Sequence, residues 1–137
     1  MTAHSRSISA AGAVAYHAGL SAEAAVARHY QRSGRPVIAE RWRGESGEID
    51  LVASEQDCLV FIEVKKARSF GAAAQRVSDR QKTRIYNAAS EYLAHVPTGQ
   101  DTVTRFDIAL VDAAGRIEIL ENALASEPLR SLTGSAM

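Results

Sequence analysis

The order of elements in this 137-residue chain predicts an α/β domain on one mixed sheet, α-β-β-β-α-β-β. Three observations carry that class. Two runs rich in apolar and β-branched residues, Glu48 to Ala53 and Cys58 to Lys66, flank a polar turn and read as an antiparallel hairpin. A capped helix with apolar residues at helical spacing comes next. A long strand then follows that helix, and such a crossover lays it parallel to a neighbour in a right-handed sense.

Met1 to about Tyr16 is rich in Ala and Ser and reads as a frayed tail. Ser21 is the expected N-cap of a first helix that runs to Ser33, with Gly34 as its stop. Pro36 opens an extended piece, Val37 to Trp42. The hairpin follows, turning at Ser54-Glu55-Gln56-Asp57. Ser69, Phe70 and Gly71 mark a loop. Ser78 caps the second helix, with Gln81 three residues on as a capping-box partner. Ile85, Ala88, Ala89, Tyr92, Leu93 and Val96 form its apolar stripe, and Pro97 and Gly99 end it. Val103 to Val111 is a fourth strand. Gly115 marks a turn before a fifth, Ile117 to Leu120. These readings place one domain over residues 17–125, with a loose tail over 126–137.

Composition excludes several classes. The hydrophobic fraction is 46% and the charged fraction 23%, too apolar for a mainly disordered chain. No apolar run approaches the ~20 residues of a membrane helix, so no membrane partner is expected. Met1 to Ala15 lacks the apolar stretch of a signal peptide. Cys58 is the single cysteine, which excludes an intrachain disulfide and a multi-cysteine zinc site. A cytoplasmic location is the expectation.

Lys plus Arg and Asp plus Glu are both 16, so global charge does not point to nucleic acid. Local charge does. Val64 to Ser90 holds seven basic residues against one acid, and Glu91 to Met137 holds three against seven. A cationic block of that kind attracts phosphates, although it also fits a solvated helix face.

The chemistry-bearing residues sit on the hairpin. Glu63 and Lys65 share one face of their strand because side chains alternate. A tight turn between Gln56 and Asp57 sets Asp50 opposite Glu63, with Cβ atoms about 5 Å apart. Two carboxylates so close repel unless a proton or cation intervenes. Mg²⁺ is held by one or two carboxylates plus water and phosphate oxygens, and Lys65 can hold a phosphate oxygen or orient a water. The set suits metal-assisted hydrolysis of a phosphodiester. It also fits a structural ion cluster on a solvent-facing sheet.

Two further residues point the same way. Glu23 shares a helical face with Val26, Ala27 and Tyr30, the face expected to pack on the sheet. An acid in the first turn after Ser21 explains it equally well. Gln81 stands four residues before Ile85 on the apolar stripe, yet the capping box also accounts for it. Lys82 is one step round the helix, while Arg80 and Arg84 lie on a more exposed side. These cations suit a nucleic-acid backbone rather than base reading. His4, His17, His29 and His95 lack metal-ligand spacing. Trp42, between Arg41 and Arg43, could stack on a base, but a packing role at the strand edge fits better. Asp107 alternates with apolar neighbours and reads as structural.

The string GEIDLVASEQDCLVFIEVKKARSFG, followed by VSDRQKTRIYNAASEYL and RFDIALVD, resembles the YraN-like family of small bacterial proteins. That family is placed in the PD-(D/E)xK nuclease superfamily, near Holliday-junction resolvases. The resemblance spans about Gly19 to Leu124. It implies a restriction endonuclease-like fold, a Mg²⁺ or Mn²⁺ requirement and a nucleic-acid substrate. It maps the superfamily's motif carboxylates to Asp50 and Glu63, its lysine to Lys65 and its helical glutamate to Glu23. Asp50, Glu63 and Glu23 are thereby the implied metal ligands. The polar residue of the later helix maps to Gln81 or Lys82. The chain reads Glu63-Val64-Lys65-Lys66-Ala67-Arg68 where members usually read E-V-K-T-R.

The expectation is a Mg²⁺-dependent endonuclease acting on DNA, branched or otherwise structured. Asp50, Glu63, Lys65, Glu23 and Gln81 form its site, and Lys66, Arg68, Arg80, Lys82 and Arg84 contact the nucleic-acid backbone. A homodimer would suit an enzyme that cuts two strands. The alternatives are a noncatalytic nucleic-acid-binding module on the same fold and a protein-interaction scaffold.

Overall fold

The computed structural model describes residues 10–66 and 78–124, with side chains from residue 21 onward. Arg68, the loop at Ser69-Phe70-Gly71 and the C-terminal tail lie outside the described residues. Seven elements follow in chain order: α1 (Ala10–Arg32), β1 (Val37–Arg43), β2 (Glu48–Glu55), β3 (Cys58–Lys66), α2 (Asp79–Leu93), β4 (Val103–Val111) and β5 (Ile117–Leu120). The strands form one sheet in the order β1-β2-β3-β4-β5. The β3–β4 pair is parallel and the others are antiparallel. The mixed sheet with flanking helices is thus the architecture expected.

The first helix departs from its expected start. It begins at Ala10, so Ser21 lies inside it rather than at its cap. The Ala-rich stretch before Ser21 favours helix strongly, and Ser within a helix costs only a few tenths of a kcal/mol. Its end is as expected. Gly34 takes φ +83°, Arg35 N donates to Tyr30 O at 2.9 Å and Gly34 N donates to Gln31 O at 3.1 Å. These two bonds are those of a Schellman stop, which needs a left-handed residue at this place.

The hairpin closes over Gln56 and Asp57, with Glu55 facing Cys58 and Leu51 facing Ile62. Alternation splits its apolar side chains between two layers. Leu51, Ala53, Val60 and Ile62, with Ala109 and Val111 of β4, pack on Ala22, Val26, Ala27 and Tyr30 of α1. Val52, Phe61, Phe106, Ile108 and Leu110 pack on Ile85, Ala88, Ala89 and Leu93 of α2. Phe61 and Phe106 stack at 5.5 Å, and Tyr86 meets Phe106 edge-on at 4.9 Å. Helix α2 ends at Leu93, three residues short of the expected stripe. Residues 94–96 tighten into i→i−3 bonds ahead of Pro97, because a residue before proline avoids the α region. Val96 still packs on the core from this turn.

One acid is completely enclosed on the α1 side. Asp107 is 0% exposed. It accepts from Tyr30 Oη at 2.7 Å, from Arg105 Nε and Nη2 at 2.9 and 3.1 Å, and from Asn122 N at 2.9 Å. Arg105 also reaches Glu55 at 3.0 Å. The group ties α1, β2, β4 and the chain after β5 together. Among the described residues no helix is long and apolar enough to cross a membrane.

Candidate functional site

The hairpin turn sets the level of every residue in the candidate site. The β2–β3 ladder stops at Leu51 and Ile62, one step before Asp50 and Glu63. Beyond it the Asp50 carboxylate takes over a backbone partner: Val64 N donates to Asp50 Oδ2 at 2.8 Å. Glu63 and Lys65 share a face as alternation requires, with Lys65 Nζ 3.1 Å from Glu63 Oε2. The two side chains are only 13% and 16% exposed.

Helix α2 supplies the next group. Ser78 caps it, accepting from Gln81 N at 3.1 Å. The Gln81 side chain does not fold back to complete the box. Its Nε2 donates to Glu63 Oε2 at 3.0 Å. Gln81, not Lys82, therefore faces the site. Lys82 pairs loosely with Asp79 at 4.0 Å.

Asp50, Glu63 and Gln81 line a cleft of about 200 Å³ with Gly47, Glu48 and Arg84, and Lys65 joins it only through its pairing with Glu63. Gly47 brings the backbone against Arg84, since a Cβ there would stand 3.0 Å from Arg84 Cγ. Glu48 and Gly47 belong to the G-E-I-D string, but only their place in the cleft gives them a part. Arg84 also borders an outer groove of about 480 Å³ with Arg80, Thr83 and Asn87. The exposed basic face of α2 thus runs directly into the carboxylate cleft. Lys66 is exposed at the end of β3, on the strand that carries Glu63 and Lys65.

Glu23 is placed differently. It stands well inside α1, so a first-turn role is gone. Because α1 covers the opposite face of the sheet, Glu23 is not among the walls of the cleft. Burial raises its carboxyl above the usual range, Arg41 opposes that, and Glu48, Glu63 and Glu40 add to it. Among the described residues no three His, Cys, Asp or Glu side chains are grouped closely enough to hold a metal together.

Among the residues lining the cleft, Asp50 is the one clearly perturbed. Burial first, and Glu63 second, push its carboxyl up to about 7. Val64 N opposes the rise, and Glu23 and Glu48 add to it. Lys65 and Gln81 both bind Glu63 Oε2, and Val64 binds Asp50 Oδ2. A buried pair of mutually repelling carboxylates lining one cleft fits a Mg²⁺ or Mn²⁺ ion held by two carboxylates and water. It does not fit a cage of three carboxylates.

The raised Asp50 pKa makes stability depend on pH. An unfolded Asp titrates near about 3.9. The folded state holds the Asp50 proton longer, so this group's stabilisation is complete below about pH 4 and is lost as pH rises toward 7. Asp50→Asn does not titrate and keeps an oxygen for Val64 N. It is expected to stabilise the protein by about 3 kcal/mol at pH 8. The gain should shrink toward zero at pH 4. Urea denaturation at the two pH values measures it, and an equal effect at both would show that Asp50 is not perturbed.

The family model and the relatives agree on the family. The family model described as "Uncharacterised protein family UPF0102" matches residues 22–111. A UPF0102 protein of Cereibacter sphaeroides strain KD131 is 65% identical over 115 residues, 84% of this chain and 98% of the relative. One from Roseobacter denitrificans is 56% identical, over 84% of this chain and 89% of its own. One from Dinoroseobacter shibae is 42% identical, over 85% and 87%. With Asp50, Glu63, Lys65 and Gln81 inside the matched span, the chain belongs to the uncharacterised protein family UPF0102, the YraN-like proteins.

Proposed function

We propose that this protein is a metal-dependent endonuclease of restriction endonuclease-like fold, acting on DNA of branched or otherwise structured form. The observation that carries the reading is the meeting of Asp50, Glu63 and Gln81 at one cleft whose rim is Arg84, with Lys65 paired to Glu63 beside it. Asp50 and Glu63 would hold Mg²⁺ or Mn²⁺, which supplies charge neutralisation at the phosphate and a more acidic water. Lys65 has two uses at this place. Its ammonium neutralises Glu63 and keeps N–H groups to donate to a phosphate oxygen or an attacking water. Gln81 positions Glu63 by fixing one carboxylate oxygen. Arg80, Arg84 and Lys66 offer cations to the flanking phosphates, a role that sets orientation and not sequence.

A second reading, a noncatalytic nucleic-acid-binding module, is favoured by one feature. The Arg80–Thr83–Arg84–Asn87 groove stands outside the carboxylate cleft and needs no metal. One experiment separates the two. Mg²⁺ and Mn²⁺ are titrated by calorimetry into wild type and Asp50→Asn/Glu63→Gln, and each protein is then offered linear and branched DNA. The nuclease reading expects carboxylate-dependent metal binding and cleavage that requires it. Salt-sensitive DNA binding without cleavage, kept in the double variant, supports the module. No DNA affinity at low salt overturns both.

A further inference from the structure

A second cleft, of about 360 Å³, opens at the corner between β1 and β2, lined by Trp42, Arg43, Gly44, Glu91 and His95 among others. We propose that it is a nucleobase subsite, receiving the base of a nucleotide that neighbours the phosphodiester in the carboxylate cleft. The proposal rests on the nucleic-acid reading above and names a part of the substrate which that reading leaves open.

Position is the first argument. The two clefts are separated by a single turn. Gly44 N donates to Gly47 O at 2.9 Å across that turn, with Gly44 in the wall of one cleft and Gly47 in the wall of the other. Arg43 Nη2 lies 3.6 Å from Glu48 Oε1, a side chain of the carboxylate cleft. The two clefts thus share the Gly44–Gly47 turn as a common wall.

The second argument is rigidity. Glu91 pins the turn, accepting from Ser46 N at 3.2 and 3.1 Å and from Ser46 Oγ at 2.7 Å. The Trp42 ring meets Tyr92 edge-on at 5.4 Å and His95 at 6.2 Å. It also covers Gly44, where a Cβ would stand 2.7 Å from the ring. The walls are thus set before any ligand arrives, and the volume lies at the small end of ligand sites.

Chemistry is the third. An indole and an imidazole beside an Arg whose side chain is 77% exposed make a base platform with a phosphate contact next to it. Stacking of this kind tolerates every base, because each has a π face. The Trp42 ring packs on Tyr92, on His95 and on the core beneath, and it also borders this cleft.

Trp42 is the single tryptophan, so its emission reads the subsite directly. The full chain, without divalent ions, is titrated with an end-labelled single-stranded oligodeoxynucleotide. The control is a deoxyribose-phosphate strand of equal length without bases. Label anisotropy reports binding, and indole emission reports stacking. Both strands are expected to bind. The base-bearing one should quench Trp42 and bind at least about 5-fold tighter, an advantage lost in Trp42→Leu and reduced in His95→Ala. Equal affinity and no quenching while both strands bind overturn the subsite and leave the nuclease reading intact. No binding by either strand overturns the nucleic-acid reading, and the subsite with it.

Discussion

Lys65→Ala is expected to cut Mg²⁺-dependent DNA cleavage by about 10²–10³-fold, the usual loss when a preorganised electrostatic group is removed. The ammonium sits 3.1 Å from Glu63 Oε2, with both side chains more than four-fifths enclosed. Its field is therefore poorly screened by solvent. Gln81 keeps Glu63 in place without it, so the fold and the metal site should survive. DNA affinity should fall much less than turnover, because Arg80 and Arg84 remain on the rim. Lys65→Arg should recover little, since a planar fork replaces a compact ammonium beside the enclosed Glu63 carboxylate. On the proposed reading Glu63→Ala should match or exceed the Lys65 loss, because it removes a proposed metal ligand and strands both donors. Single-turnover cleavage with saturating protein separates chemistry from binding. Wild-type rates in either variant would remove this cleft from the reaction.

Asp107→Ala is expected to destabilise the fold by about 3–5 kcal/mol, the cost of breaking a buried ion pair from one side. Domains hold only about 5–15 kcal/mol in all, so the variant should be partly unfolded at 37 °C. Three donor groups lose their acceptor at once: Tyr30 Oη, the Arg105 guanidinium and Asn122 N. Arg105 keeps Glu55 as a partner, while Tyr30 and the chain after β5 do not gain one. Burial first, with Asp107 adding to it, holds the Tyr30 phenol well above its ordinary range. Urea denaturation measures the loss, and Glu118→Ala on the exposed side of β5 is the control, expected within ±0.5 kcal/mol. A small change for Asp107→Ala would mean that α1 is held by its apolar face alone.

The hairpin was legible because two signals agreed. Alternation gave the faces, and the polar tetrapeptide between the strands gave the register that brings Asp50 level with Glu63. Bounds of β3, β4 and β5 followed from β-branched runs ending at polar or glycine positions. The start of α1 was not legible, since an alanine-rich approach carries neither cap nor break, and Ser21 resembles a cap without being one. Glu23 lies outside the walls of the cleft yet feels Asp50 and Glu63 electrostatically, a relation that helical spacing alone does not report. Gln81 was half hidden, because a capping box explains the residue type and only the fold shows its amide turned to Glu63. The partners of Asp107 lie as far as 77 residues away, a separation no local pattern reports.

The single parallel junction, β3 beside β4, also sets an order of assembly. The β1–β2–β3 meander needs only short turns, so it can close in microseconds. Pairing β3 with β4 must wait until the whole crossover through α2 has been looped back, a step opposed by chain entropy. Asp50 and Glu63 are brought level in the first stage, and Gln81 and Arg84 reach them in the second. During biosynthesis the acidic pair therefore exists for a time without the helix that tempers it. In that interval Lys65, on the same strand, is already beside Glu63.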